Sequence, residues 1–335
     1  FNLRSSIYYS RSTILNLQFS ISNPLPTMPI HCLGFGLVTC DRILLLDDFP
    51  RPNQKLVIDN WTQQIGGPVA VGLMTMAAMG LRVHWGLPLG DDANSQRVMA
   101  QFQHLRIGFL NEAQQYPAHP TPEAIILVHR RSGARTVLLL NQPTPRLKQF
   151  KQIADKLPTA EWMYCDGREE GFVFALKDWA KRNQTKLFFD LGSQRPNWNE
   201  IIAGGDIVIV SDDFMRQLDP ALTLEATLQQ VIDCGVKIAG MTLGREGSLF
   251  LQAGKYWSIP AHPAPQVIDT TNAGDVFHGA FLAAWIKTNS IARSATFASR
   301  CAAWAVAHTG HQLHVFDEKI RREFGSLHAP LNSIT

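Results

Sequence analysis

Asp269-Thr270-Thr271-Asn272-Ala273-Gly274-Asp275-Val276-Phe277 is the stretch on which the reading of this chain turns. It follows an extended segment containing Pro260, Pro263 and Pro265 and precedes a long apolar run over 276–286, so a helix is expected to begin at Ala273 or Gly274. The first turn of such a helix presents unpaired backbone N–H groups and the positive end of the helix dipole, and the small residues there let a phosphate come close. Asp275 in that turn is placed to take a proton from a hydroxyl while the amides of Asn272, Ala273 and Gly274 stabilise charge on a transferred phosphoryl group. Taken alone, Asn-Ala-Gly-Asp is also the pattern of an ordinary first-turn carboxylate behind a loop glycine.

On either side of the motif, short apolar runs alternate with helical patterns. Strands are expected at 32–38, 82–87, 162–165, 186–191, 206–210 and 236–242, with helices at 69–79, 94–104, 171–182, 222–234, 273–286 and 291–307. This βαβα order predicts an α/β domain with a central, mainly parallel sheet. Two regions break the rhythm, 42–64 and 123–140. There 43–46, 55–61, 124–129 and 135–140 read as hairpin strands of a small β lid, able to close over a ligand at the strand ends. The domain is expected over 28–320, followed by a C-terminal tail at 321–335.

With 335 residues and 45% hydrophobic content the chain has a large core available. A net charge of +3 without a dense basic stripe argues against nucleic acid as a partner, and no apolar run is long enough to span a membrane. The five cysteines include no Cys-x-x-Cys pair, which fits a reducing cytoplasm better than a disulfide framework. Residues 1–27 hold Arg4 and Arg11 but no acid, and they end at Pro24-Leu25-Pro26-Thr27 before Met28. Two readings are open for this extension, an organelle-targeting peptide or sequence upstream of a start at Met28, and the second is preferred. His308, His311 and His314 lack acidic or cysteine neighbours and are not read as a metal site. His278 reads as a hydrogen-bonded helix residue, not as a second base.

The nine-residue motif resembles the C-terminal signature of the ribokinase-like (PfkB) carbohydrate kinase family, D-T-x-[GA]-A-G-D-x-F, with Asn272 where Gly or Ala is usual. Asn tolerates left-handed backbone better than most residues. Gly66-Gly67, Ala77-Ala78-Met79-Gly80 and Gly90-Asp91-Asp92 are similar to the family's N-terminal region, and Thr242-Leu243-Gly244-Arg245-Glu246-Gly247 is similar to its T-x-G-x-x-G nucleotide loop, although plain hairpins use the same residues. The stretches from Trp162 to Arg168 and from Val208 to Asp213 resemble the ketohexokinase-like branch. The resemblance implies a ribokinase-like fold, phosphoryl transfer from ATP with Mg²⁺ to a sugar-like hydroxyl, and Asp275 as general base. It further implies nucleotide contacts at Thr242, Gly244, Gly247, Ala302 and Gly310, and acceptor contacts at Asp41, Gly67 and Arg135. For Arg135 a solvated hairpin arginine is the competing reading. Three departures stand out: Pro68 and Val71 replace acceptor-binding Asn residues, and Ser211 with Phe214 replaces a metal-linked N-x-x-E. A nucleoside kinase and a ligand-binding homologue without turnover remain as alternatives, and a homodimer through the lid strands is expected.

Overall fold

The computed structural model describes residues 30–110, 120–140, 146–310, 313, 316 and 318–327. Nine strands form the main sheet. They are β1 (Ile30–Phe35), β4 (Val83–Trp85), β5 (Gly108–Phe109), β8 (Ala160–Cys165), β9 (Lys186–Leu191), β10 (Ile207–Ser211), β11 (Ile238–Thr242), β12 (Ser248–Gln252) and β13 (Lys255–Ile259). Their order is β13-β12-β11-β10-β9-β8-β1-β4-β5, parallel throughout except for the antiparallel pairs β11–β12 and β12–β13. The central strands are buried on both faces, which is why Ile207-Val208-Ile209-Val210 reads as a continuous β-branched run without alternation.

A second sheet of four strands, β3-β2-β6-β7, is built from β2 (Thr39–Leu46), β3 (Trp61–Gly66), β6 (Glu123–His129) and β7 (Arg135–Leu140). The two antiparallel hairpins β2–β3 and β6–β7 join through parallel pairing of β2 with β6. Its own small core is Ile43, Ala124, Ile126 and Val128. The strand expected at 55–61 is not there: the pairing begins at Trp61 and runs to Gly66. Leu56 and Val57 have the right propensity, but they are exposed and no neighbouring strand completes their ladder.

Helices α1 (Pro68–Ala78) and α8 (Ala273–Thr288) pack against each other, and α8 also packs on α9 (Ile291–Val306). Both α1 and α8 are apolar all round, as buried helices are, with 69–76 of α1 and 276–284 of α8 buried without a break. Gly72 and Gly279 let the two backbones touch: a Cβ on Gly279 would stand 2.5 Å from the Gly72 carbonyl oxygen. The remaining helices are α2 (Ala93–His104), α3 (Arg146–Ile153), α4 (Glu170–Arg182), α5 (Trp198–Ile202), α6 (Asp212–Leu218), α7 (Leu224–Asp233) and α10 (Glu318–Ser326). Asp92 caps α2 by accepting from the amides of Asn94 and Ser95, and it also holds Thr121 N. The last helix, α10, runs across the expected boundary at 320. Ile320, Phe324 and Leu327 are buried in the main core, and the Phe324 ring lies 5.6 Å from that of Phe297. Residues 1–27, His311 and His314 lie outside the described residues.

Candidate active site

Asn272 is the residue before α8 and adopts φ 60° and ψ 8°, left-handed backbone that turns the chain sharply into the helix. The turn is tied down by Asp269, which is 1% exposed: its Oδ1 accepts from Thr271 N at 2.8 Å and its Oδ2 from Gly310 N at 2.9 Å. Gly310 is therefore a partner of the motif turn, and Gln64 of β3 packs against it. Of the expected anion-binding amides, Ala273 N makes a long 3.4 Å bond to Thr270 O, while Gly274 is exposed and would meet no atom within 4 Å if it carried a Cβ. The first-turn amides beyond Ala273 have no helical partner, so an anion can approach them.

Asp275 sits at this helix start, only partly accessible to solvent. Burial, followed by the nearby Asp190 carboxylate, pushes its pKa up to about 7, while His278 and Arg135 act in the opposite direction. Asp41, on β2, is 3% exposed and accepts from Thr39 Oγ1 at 2.6 Å. Burial raises it to about 6; Thr39 and the Asn272 side-chain amide pull it back, and Asp269 adds to the rise. Asn272 Nδ2 is buried beside Asp41 without an aligned hydrogen bond.

Arg135 reaches from β7 to the motif: its Nη1 donates to Thr270 O at 2.7 Å and lies 3.1 Å from Thr270 Oγ1, which in turn donates to Gly133 O at 2.8 Å. It is thus a clasp between the lid and the loop before Asp275, not a free hairpin arginine. Gly67 precedes α1 with φ 95°, where a Cβ would collide with the Leu37 carbonyl. The structure brings Asp41, Arg135, Asn272 and Asp275 together through these contacts.

The nucleotide candidates lie along a different path. Thr242 ends β11, and Gly244 (φ 56°) and Gly247 (φ 99°) shape the turn into β12; a Cβ on Gly247 would strike the backbone of 259–261. From there the chain runs along α9 to the motif, with His262 N donating to Ser299 Oγ at 2.7 Å and Ile268 N to Val306 O at 2.8 Å. Ala302 lies on α9 between those two anchors and is partly buried.

The departures from the family pattern have structural roles. Pro68 is the first residue of α1, Val71 is fully buried, and neither offers a polar group. Ser211 caps α6, accepting from Phe214 N at 3.1 Å and donating to Gly192 O at 2.9 Å, and Phe214 is a core ring packed edge-on to Trp198. That position does not fit a metal ligand.

Three residues carry more of the site than their sequence suggested. Asp166, after β8, accepts from Leu37 N at 2.8 Å and pairs with Arg168 at 3.2 Å. Asp190, at the end of β9, is 2% exposed and accepts from Tyr164 at 2.8 Å. His278, expected to be a hydrogen-bonded helix residue, is buried with its Nδ1 2.8 Å from Asp190 Oδ2, yet neither ring nitrogen makes an aligned hydrogen bond. The available signal was an acid inside the otherwise apolar run Leu187-Phe188-Phe189-Asp190-Leu191, since buried carboxylates are rare without a partner.

An α/β domain with a large, mostly parallel sheet and a small second sheet that reaches the start of α8 defines a class, and comparison with known proteins supplies the family. Residues 30–317 match the model of the pfkB family carbohydrate kinases, and the chain belongs to that family. It is 21% identical to mouse ketohexokinase over 284 residues, covering 81% of this chain and 94% of that protein. A nucleoside kinase of Methanocaldococcus jannaschii is 22% identical, over 88% of this chain and 96% of that one. The solved structure of Arabidopsis thaliana ribokinase complexed with ribose and ATP superposes with a TM-score of 0.69 at 20% identity, covering 89% of this chain and 99% of that one. The fold is ribokinase-like, and the family places the chain among phosphotransferases with alcohol acceptors. Among the described residues no helix is long and apolar enough to cross a membrane.

Proposed function

We propose that this chain transfers the γ-phosphate of ATP to a primary hydroxyl of a sugar or sugar-like acceptor, with Asp275 as general base. The observation that carries the reading is the start of α8: a carboxylate raised by burial to about 7 stands in the same turn as Gly274, an exposed residue with open space on its Cβ side. A base of that strength holds a useful ionised fraction at neutral pH and still binds the proton it removes. In this reading the acceptor hydroxyl gives its proton to Asp275 as its oxygen attacks the γ-phosphorus, and the Ala273 and Gly274 amides face the charge on the phosphoryl oxygens. Asp41 accepts hydrogen bonds from two further acceptor hydroxyls beside Gly67, and Asn272 Nδ2 donates to the same ligand. The nucleotide lies along Thr242, Gly244 and Gly247 towards Ala302 and Gly310. Mg²⁺ is expected to arrive on the phosphates, because Ser211 and Phe214 offer it no carboxylate.

Asp275→Asn tests the assignment. ATP binding is expected to stay within about twofold, and turnover to fall by roughly two to four orders of magnitude; a variant retaining a tenth of wild-type kcat refutes the base. The acceptor is sought with a panel of ketoses, aldoses, sugar acids and nucleosides in an ADP-release assay. A nucleoside acceptor is the second reading, favoured by the apolar Val71 and Pro68 where amides would otherwise meet sugar hydroxyls. ATP binding with no ADP release on any acceptor would instead favour a ligand-binding homologue.

A further inference from the structure

His278 lies one turn beyond Asp275 on the same face of α8 and is 3% exposed. The carboxylate oxygens of Asp190 and Asp275 and a ring nitrogen of His278 all fall within 4.8 Å of one another. Asp190 has two neighbours on one oxygen: Tyr164 Oη donates to Oδ2 at 2.8 Å, and His278 Nδ1 stands 2.8 Å from that same Oδ2. A carboxyl group that is 2% exposed needs partners for its oxygens, and His278 Nδ1 stands at ion-pair distance from it. The backbone is shaped to this cluster. A Cβ at Gly72 would strike the Tyr164 ring, so the glycine on α1 is what lets that hydroxyl reach Asp190.

We infer that His278, protonated and held against Asp190, is a positioning residue that keeps Asp275 in its ionised, proton-accepting form. The inference rests on the kinase reading for its consequence but not for its charge state. During turnover the acceptor's proton goes to Asp275 and leaves from there to solvent; His278 exchanges none. The groups facing this centre come from each element around it: Tyr164 on β8, Asp190 on β9, Arg195 in the segment after β9 acting on Asp190, Asp275 on α8 itself, and Asp41 and Arg135 on the lid strands acting on Asp275. For His278, burial opposes the charged ring, but the Asp190 and Asp275 carboxylates outweigh it and raise its pKa above the ordinary imidazole value. The same positive charge draws the Asp275 pKa down against the effects of burial and Asp190.

Two measurements test this. The first needs no substrate: His278 is followed by NMR of ¹³Cε1-histidine-labelled protein, its resonance assigned by disappearance in His278→Asn. It is expected to be protonated at pH 7.5 in the wild type and to titrate at lower pH in Asp190→Asn; a neutral ring at pH 7.5 overturns the proposal. The second is the pH dependence of kcat on whichever acceptor the panel returns. His278→Asn is expected to move the acidic limb up by about one unit, costing roughly fivefold at pH 7 and recovering towards wild type by pH 9. A uniform loss with an unmoved limb would mean a structural role only and would also overturn it. If the panel returns no acceptor, the kinase reading fails and the NMR titration still decides the charge on His278. If His278→Asn does not fold, His278→Gln supplies the assignment and Asp190→Asn the resonance shift.

Discussion

Gly274 and Gly279 lie five residues apart on one helix, and the same change to alanine is expected to do opposite things at each. At Gly279 the new Cβ meets the Gly72 oxygen at 2.5 Å, its Cα at 2.8 Å and its carbonyl carbon at 3.0 Å, all backbone atoms of α1. Restoring van der Waals separation requires the helices to part by roughly 1 Å. Overpacking of this kind costs about 1–3 kcal/mol, of which the better helix propensity of alanine returns about 0.5–1. The net loss is about 0–2.5 kcal/mol, about 1 at mid-range, read as a lower urea midpoint at unchanged m-value and a fall of a few degrees in Tm. Because α1 also carries Gly72 against Tyr164, the shift should reach the Asp190 cluster and lower kcat as well. At Gly274 nothing lies within 4 Å of the new Cβ, and the residue is already helical. Gly274→Ala is therefore expected to match or exceed wild-type stability by a few tenths of a kcal/mol, while the methyl group obstructs the phosphate and lowers turnover. An unaltered urea midpoint for Gly279→Ala refutes the packing argument, and full turnover in Gly274→Ala refutes the anion site.

Other outcomes follow from the lid and the buried acids. Asp41 has a folded-state pKa of about 6 against an ordinary 3.8, so its contribution is fully present below pH 3.8 and is lost as pH rises through 6. The difference between the two corresponds to at most about 3 kcal/mol. Asp41→Asn should therefore gain stability over wild type between pH 4 and pH 7 while raising the acceptor KM, and a stability difference that is constant with pH would contradict this. Arg135→Ala removes two hydrogen bonds at the lid clasp. About 1 kcal/mol is expected after allowance for exposure, seen as several-fold faster amide exchange over 135–140 and a several-fold lower kcat/KM; unchanged exchange would show that the lid is held elsewhere. The outer strand β7 exposes Val137, Leu138 and Leu140 at about half their surface, and among the described residues its outer edge has no partner strand, as a strand that pairs with a second copy would. Light scattering is expected to give a dimer that Leu138→Lys dissociates, and a wild-type monomer at micromolar concentration excludes it.

Much of this protein was legible in its sequence because the determining signals are local. Alternation of apolar runs with helical patterns announced the parallel sheet, and the start of α8 at Ala273 followed from the small residues and the Pro-rich approach before it. The left-handed turn fell on Asn272, a residue suited to it. What sequence could not supply depended on partners distant along the chain. Residues 55–60 have strand-like composition but no strand beside them, whereas Trp61–Gly66 has β2. Residues from 320 onward have tail-like composition except for Ile320, Phe324 and Leu327, which only the packed core makes meaningful. The chemistry of Asp275 divides in the same way. Its place in a helix start is a matter of sequence, but the strength of its carboxylate is set by burial and then by Asp190, His278, Arg135 and Asp41. Those groups come from β9, α8, β7 and β2, and only folding brings their charges within a few ångströms in a medium that water does not screen.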